Sequence, residues 1–344
     1  MVKSIMYWLA LIGLAFFVSS CSQNKQQLLH IEGQTMGTYY QLTYVLSTEQ
    51  QKDARLETDK IQGEINKLLE QVNEQMSTYR PASELSRFNQ ATESLLVSPA
   101  TIKVVTAALQ LNHQSNGAFD VTVGPLVNLW GFGPDKKPTK IPSDATIAEK
   151  KQIVGSQYLH VDGQRLVKSI PQLYVDLSSI AKGYGVDVVS EYLQQLGVDN
   201  YLVDIGGELR ASGLKPNNKN WTLAIERPVA GRNVQRLIQI GTNGIATSGD
   251  YRNYFEFDGV RYSHTIDPKT GKPITHKLAS VTVIDKSCMI ADGLATAITV
   301  LGPQDGLRFA KQHKIAAFLL VKEGDEFVEY FTPEFAPYLL KENE

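Results

Sequence analysis

Residues 174–207 limit the possible folds of this chain most narrowly, because they place one helical repeat between two β-rich runs. The runs 174–177 and 201–205 have the composition of short strands, and Gly197 has the position of a helix end. Between them, apolar side chains recur at helical spacing: Val186, Val189, Tyr192, Leu193 and Leu196. The stretch is therefore predicted to form a βαβ-like unit.

The junction between the first run and the helix carries groups that suit an anionic ligand. Asp176, Ser179, Lys182 and Gly183 place a carboxylate, a hydroxyl, an ammonium and an open backbone there. Because free N–H groups and the helix dipole favour anions at a helix N-terminus, a phosphorylated ligand would suit this position. A well-capped helix with a surface lysine is the alternative, and these residues alone leave both open.

Residues 1–20 have the form of an export signal. They contain one charged residue, Lys3, and an apolar run over 5–18 that is short for a membrane span. The sequence Val-Ser-Ser-Cys that ends at Cys21 resembles the lipobox of bacterial lipoproteins, in which the cysteine is lipidated. An ordinary secretory signal that contains a cysteine is the alternative. Lipidation would leave Cys288 as the only other cysteine, which excludes a disulfide framework.

The mature chain is predicted to be a weakly acidic folded protein behind a short tether. Asp and Glu number 36 against 34 Lys and Arg, one of which is in the signal, so no nucleic-acid partner is expected. The polar stretch 21–32 is predicted to be the tether. Residues 33–344 are enough for one elaborate domain or for two lobes.

Hydrophobic periodicity predicts both helices and strands along the chain. In the first half, 38–46 alternates like a strand, 56–76 carries one apolar helical stripe, and Ser98 before Pro99 begins another helix. The segment 124–140 has no clear period and is predicted to be an ordered loop.

The second half is predicted to consist mainly of hairpins, one of them with a tight turn at Asp258-Gly259. Strands are expected at 221–226, 236–240, 254–257, 261–265 and 279–284, helices at 291–301 and 303–313, and a closing hairpin at 316–321 and 327–331.

Asp292 and Thr296 form the first of four polar constellations. Their spacing places a carboxylate and a hydroxyl on one helix face, and hard oxygen ligands of this kind suit Mg²⁺. The alternative is an acidic residue that complements the helix dipole, followed by a core threonine.

The other three constellations lie in turns. His264 lies in Tyr-Ser-His-Thr-Ile-Asp-Pro-Lys-Thr-Gly at 262–271, a polar loop spans 248–253, and paired glycines occur in 204–208. For His264 a structural role is the alternative to a functional one, and the residues of the loop are equally compatible with ordinary turn chemistry. The paired glycines indicate a close backbone approach or, as the favoured interpretation, a simple tight turn. If the strand continues through 261–265, period-two alternation would turn His264 and Ile266 to the same face.

The combination of these motifs, in this order, resembles the ApbE family of FAD:protein FMN transferases. The segments that carry the resemblance are DLSSIAKGYGVD, YLVDIGGE, SGDYRNYF, YSHTIDPKTG and ADGLATA, with shorter matches near Met36, Tyr79 and Phe119. The resemblance extends from about Gly33 to about Val321. It implies an α+β fold related to the T-fold enzymes, with a flavin cleft between sheet and helices.

The resemblance also implies the residues of the site. The family's FAD contacts fall on Met36, Tyr79, Ala118, Phe119, Asp120, Asp176, Lys182 and Ile266, and its Mg²⁺ ligands fall on Ser179, Asp292 and Thr296. At Ser179 we expect the backbone carbonyl to be the ligand.

The implied reaction transfers FMN from FAD to a threonine hydroxyl of a partner protein and releases AMP. His264 is the candidate for the group that takes the threonine proton, and the acceptor is expected to lie near the loop 124–138. Family acceptors are subunits of membrane redox complexes, the sodium-pumping NADH:quinone reductase and its Rnf relatives.

We therefore expect a lipoprotein that faces the periplasm, anchored through Cys21 in the inner membrane. Ser22 after the lipidated cysteine leaves the outer membrane open. Two other functions remain possible at this point: an FAD pyrophosphatase that forms FMN and AMP, and a flavin-binding lipoprotein without turnover.

Overall fold

The computed structural model describes residues 26–134, 141–228, 233–249, 254–257 and 260–341. The export signal, Cys21 and the turn at 258–259 lie outside these residues. Among the described residues, no helix combines the length and the apolar character that a membrane crossing requires. The strands are β1 (Gln27–Thr35), β2 (Thr38–Leu46), β3 (Ser94–Leu96), β4 (Leu159–Asp162), β5 (Arg165–Lys168), β6 (Tyr201–Ile205), β7 (Glu208–Ser212), β8 (Leu223–Glu226), β9 (Val234–Ile238), β10 (Gly244–Gly249), β11 (Tyr254–Phe257), β12 (Val260–Ser263), β13 (Ile266–Asp267), β14 (Lys272–Pro273), β15 (Leu278–Asp285), β16 (Ala316–Glu323) and β17 (Glu326–Phe331).

The helices begin and end largely at local sequence signals. Ser98 Oγ accepts the Thr101 N–H, so the Ser-Pro pair starts a helix as predicted. The last helix bends at Gly302, whose φ is 80°, and this bend separates the two helices that the sequence predicted. The helices are α1 (Thr58–Met76), α2 (Glu84–Gln90), α3 (Pro99–Gln114), α4 (Gly124–Leu129), α5 (Asp144–Lys151), α6 (Ala181–Gln195) and α7 (Cys288–Gln312). Short 3-10 turns lie at Gln50–Lys52, Ala54–Leu56, Ser156–Tyr158, Pro216–Asn218 and Ala336–Tyr338.

In the described part of the chain, eight strands form the main antiparallel sheet in the order β1-β2-β6-β7-β10-β15-β16-β17. The other strands form the small sheets β3-β5-β4, β8-β9, β11-β12 and β13-β14. The predicted strands β2 and β6 are neighbours, with Leu42 opposite Val203. β1 pairs with β2 from Gln27 to Thr35, so the fold begins inside the stretch 21–32 that the sequence assigned to the tether. β1 was not predicted from the sequence, because an edge strand with mostly exposed side chains lacks a long alternation of apolar and polar residues.

Helices cover one face of the sheet. α1 and α6 bury Leu42, Tyr44 and Val203, while α3 and α7 pack near Val281 and Val283 of β15. The apolar stripe predicted for α1 is confirmed by this packing. The helical layer therefore carries the segments from which the polar constellations project.

The opposite face is covered by the β8–β9 hairpin and by the C-terminal segment. Trp221 and Phe335 pack there with Ile284. The Leu340 N–H donates to the Leu237 carbonyl at 3.1 Å, which joins the end of the chain to β9.

Two predictions of local structure are wrong. The run 174–177 is not a strand, because the Asn89 amide binds both the N–H and the carbonyl of Val175 at 2.8 Å each and takes the place of a neighbouring strand. The segment 124–140, predicted as a loop, contains α4, which has proline in its first turn. Residues 135–140 lie outside the described ranges.

Candidate active site

A cleft of about 640 Å³ lies where the turn between β6 and β7 meets the start of α6 and the N-terminal half of α7. Apart from Met36, all of the predicted FAD, metal and proton-transfer residues line it. They are Tyr79, Ala118, Phe119, Asp120, Asp176, Ser179, Lys182, His264, Ile266, Asp292 and Thr296. The structure thus brings together side chains that lie far apart in the sequence.

Met36 lies in a neighbouring groove between the β1–β2 turn and α1. Its φ of 50° is unusual for a residue with a side chain. Tyr39 lines both the groove and the cleft, so the two spaces adjoin. Tyr79 is 65% exposed at the cleft, which leaves its ring accessible to a flat ligand.

One wall of the cleft joins the segment after α3 to the segment before α6. The Asp176 N–H donates to the Val121 carbonyl at 2.8 Å, which brings Asp120 and Asp176 onto adjacent segments. The Asp120 carboxylate accepts the Thr122 N–H, and the Asp176 carboxylate accepts the Ser178 N–H. Burial raises the pKa of both acids, and these hydrogen bonds oppose the rise.

Asp292 contributes a buried carboxylate to the cleft. It is 4% exposed, and its Oδ2 accepts the Gly183 N–H at 3.0 Å. In a regular helix that N–H would bond to the Ser179 carbonyl. Within the described ranges no backbone N–H donates to this carbonyl, which agrees with the expectation that it is the ligand atom. Thr296 lies one turn after Asp292, and its Oγ1 is 3.3 Å from Ser248 Oγ.

These donors match the chemistry of Mg²⁺, which takes few protein ligands and prefers carboxylate, carbonyl and hydroxyl oxygens. Among the described residues, no group of three or more His, Cys, Asp and Glu side chains could hold a metal ion. The predicted ligand set that lines the cleft consists of the Asp292 carboxylate and the neutral oxygens of Ser179 and Thr296.

A close helix contact fixes the helix that carries Asp292. A Cβ atom at Gly183 would lie 2.4 Å from the Cys288 carbonyl oxygen, so only glycine allows α6 and α7 to approach this closely. One turn further along α6, the buried Asp187 accepts the Cys288 and Met289 N–H groups at 3.0 Å each. Cys288 is a buried free thiol.

Glu208 is a buried acid to which the sequence assigned no role beyond a turn motif. It is 4% exposed, its Oε1 lies 2.5 Å from Lys182 Nζ, and its buried Oε2 has no hydrogen-bond partner among the described residues. Burial and Glu208 raise the pKa of Asp292 to about 8, an effect that Lys182 opposes. Two buried carboxylates thus lie in the cleft with Lys182, whose ammonium is paired with Glu208. The signal in the sequence was a charged residue directly after a Gly-Gly pair.

The Gly-Gly pair forms a two-residue hairpin turn between β6 and β7. Gly206 and Gly207 have φ values of 62° and 101°, and Ile205 pairs with Glu208 across the turn. The tight turn that the sequence favoured is confirmed. A close approach is also present, because a Cβ atom on Gly206 would lie 2.8 Å from a methyl group of Thr38.

His264 is half-buried beside an aromatic cluster. Its ring meets Phe132 edge-on at 6.3 Å between centroids, and Tyr262 stacks on Trp130 at 5.6 Å. The Trp130 indole N–H donates to the Gly271 carbonyl at 2.9 Å. These contacts hold the His264 segment against the segment that follows α4.

His264 and Ile266 line the same cleft, but for a reason other than the one the sequence suggested. β12 ends at Ser263 and β13 begins at Ile266, and Thr265 lines the cleft as well. The chain turns around the cleft here, so strand alternation is not the cause.

Comparison with known proteins decides the family. The ApbE family model matches residues 36–319. An FAD:protein FMN transferase of Vibrio cholerae is 50% identical over 337 residues, which cover 97% of this chain and 99% of that protein. The chain belongs to the ApbE family. Another ApbE relative, the FAD:protein FMN transferase of Haemophilus influenzae, is 43% identical over 335 residues and 95% of both chains.

Solved ApbE structures confirm the predicted α+β fold. The flavin transferase ApbE from Vibrio cholerae gives a TM-score of 0.84 at 50% identity, over 92% of this chain and all of that chain. The ApbE protein of Thermotoga maritima gives 0.81 at 26% identity, again over 92% of this chain and 100% of its own. The ApbE fold therefore persists over a wide range of sequence identity.

Proposed function

We propose that this protein transfers FMN from FAD to a threonine hydroxyl of a partner protein and releases AMP. The observation that carries the proposal is that one cleft is lined by all of the flavin, metal and proton-transfer candidates except Met36. The similar proteins named FAD:protein FMN transferase support the transfer of FMN to a protein. The threonine acceptor and the metal follow from the resemblance and from the chemistry of the cleft.

Mg²⁺ would be held by the Asp292 carboxylate, the Thr296 hydroxyl and the Ser179 carbonyl. The electrostatics support a cation there, because Asp292 and Glu208 are both buried and, among the described residues that line the cleft, Lys182 is the one Lys or Arg. A bound Mg²⁺ would supply a Lewis acid for the negative charge of the pyrophosphate.

In the proposed reaction the threonine oxygen bonds to the phosphorus nearest riboflavin. The bond from that phosphorus to the bridging oxygen breaks, and AMP leaves with the electron pair. His264 takes the threonine proton, a role that its half-buried position at the cleft allows. Tyr79, which is 65% exposed, offers a flat surface for the ring system, whereas Phe119 is 1% exposed and its ring packs in the core behind the cleft. Asp120 and Asp176 would accept hydrogen bonds from FAD.

The acceptor is proposed to be a flavin-carrying subunit of a membrane redox complex of the NADH:quinone reductase or Rnf type. The lipobox-like Cys21 supports a lipid anchor on the periplasmic side, with the inner membrane as the expected location. This location would place the cleft beside such subunits.

The test is to incubate the purified protein with FAD and Mg²⁺, with and without an acceptor that carries the threonine. AMP release is followed together with protein-bound flavin fluorescence. We expect acceptor-dependent AMP release with fluorescence on the acceptor, and none when threonine is replaced by valine. AMP release without an acceptor and without labelling would instead identify an FAD pyrophosphatase, and binding without AMP would identify a flavin carrier.

A further inference from the structure

We propose that Glu208 is a positioning residue that holds the Lys182 ammonium away from Asp292 and so keeps Asp292 available to a divalent cation. This inference rests on the proposed metal site. Glu208 and Lys182 are not among the proposed metal ligands. Their pairing explains why a lysine can lie beside a cation site.

Lys182 is close to Asp292 because of the helix contact described above. It immediately precedes Gly183, whose N–H binds the Asp292 carboxylate at 3.0 Å. Burial lowers the pKa of Lys182, but the Glu208 and Asp292 carboxylates together raise it above its ordinary value. Lys182 and Asp292 line the same cleft, on two helices that are in close contact at Gly183.

The ammonium nevertheless pairs with Glu208. In the described part of the chain, Glu208 is the carboxylate within ion-pair distance of Lys182, at 2.5 Å. The Glu208 backbone is fixed by the Gly206-Gly207 turn and by its pairing with Ile205. The position of the carboxylate is therefore set by the sheet.

Without the Glu208 charge, the buried Asp292 carboxylate, which lines the same cleft, would remain as a counter-ion for Lys182. The Lys182 side chain is only 33% exposed, so loss of its partner carries a desolvation cost and the flexible lysine would turn to the remaining carboxylate. An Asp292–Lys182 ion pair would then compete directly with a divalent cation for the same oxygens.

The experiment measures Mn²⁺ binding to the flavin-free protein from the loss of the free Mn²⁺ signal in electron paramagnetic resonance. We expect Glu208→Gln to weaken Mn²⁺ binding by about tenfold or more, since a neutral amide no longer holds the lysine. The double variant Glu208→Gln with Lys182→Met should return to within about threefold of the unaltered protein, because the competing ammonium is gone. Glu329→Gln is the control, because it removes the same charge from the Arg236 ion pair, and it should leave the Mn²⁺ affinity unchanged.

Unchanged Mn²⁺ affinity in Glu208→Gln would overturn the inference. So would a double variant as weak as Glu208→Gln, since Glu208 would then act on the metal directly or through the fold. If Glu208→Gln fails to fold, Mn²⁺ binding by Lys182→Met tests the inference. This variant should bind Mn²⁺ at least as tightly as the unaltered protein, and weaker binding would overturn the inference. Equal Mn²⁺ binding by Asp292→Asn and the unaltered protein would overturn the metal site itself, which separates the two failures.

Discussion

At the scale of single residues, Asp292 is the only charged member of the proposed ligand set. Asp292→Asn keeps the volume and an acceptor for the Gly183 N–H but removes the anion. We expect AMP release to fall by at least about 100-fold, because the other proposed protein ligands are neutral. Turnover is measured by chromatography of AMP at saturating FAD and Mg²⁺. Near-normal turnover would contradict the assignment.

The role of His264 is tested by separating rate from affinity. His264→Asn should lose about 10²-fold or more in flavin transfer while FAD affinity changes by less than about tenfold, as expected for a group needed mainly in the transition state. His160→Asn is the matched control, because His160 is exposed on β4 and bonds to Ser169 outside the cleft. Equal losses of rate and affinity would make His264 a binding or folding residue.

Lys168 makes the stability of the protein depend on pH. Its Nζ donates to the Asn89 carbonyl at 2.9 Å, and burial lowers the pKa of Lys168 to about 8. The unfolded lysine keeps a higher pKa, so it binds more protons above about pH 8 and the unfolding free energy rises with pH there. Relative to Lys168→Met, we expect a gain of about 1 kcal/mol between about pH 8 and 10 after allowance for solvent screening. Urea unfolding of the protein and of Lys168→Met at both pH values measures this gain. The prediction is wrong if the difference in unfolding free energy between the two proteins is the same at both pH values.

At the scale of elements, the contact between α6 and α7 sets the geometry of the cleft. Gly183→Ala would place a Cβ atom 2.4 Å from the Cys288 carbonyl oxygen and 2.8 Å from Met289 Cα, and backbone atoms cannot rotate away. We expect a loss of about 1 to 3 kcal/mol in unfolding free energy. Gly63→Ala in α1 is the control: its Cβ meets nothing within 4 Å, and alanine should stabilise that helix. Equal stabilities for the two variants would contradict the close contact.

Elements with strong periodicity could be predicted from the sequence, whereas elements that depend on a distant partner could not. β2 and β6 have the predicted bounds because their alternation reflects burial. The run at 174–177 has the composition of a strand, yet the Asn89 side chain takes the backbone hydrogen bonds of Val175 that a neighbouring strand would otherwise make.

The candidate site follows the same division. Asp292 and Thr296 were visible as a helical pair, since their relation is local. Glu208 was not assigned a role, because its burial and its pairing with Lys182 arise only when β7 meets α6.

At the scale of the whole molecule, the proposed membrane attachment would depend on a lipid at Cys21. Cys21→Ser should move the protein from the membrane fraction to the soluble fraction or reduce its export, because a lipid chain supplies the binding energy. Cys288→Ser replaces the buried thiol and should leave the protein in the membrane fraction. Immunoblots of salt-washed membranes measure both. Persistent attachment of the Cys21 variant would contradict the anchor.

The end of the chain supports the cleft from behind. Leu340 bonds to β9, and β9 pairs with β8, whose residues 223–226 line the cleft. Shortening the C-terminus, or attaching a fusion partner to a shortened end, would therefore disturb β9 and, through it, the residues of β8 that line the cleft. The β16–β17 turn at Gly324 has open space around it and lies at the far edge of the sheet. A fluorescent reporter that must leave turnover untouched belongs in that turn.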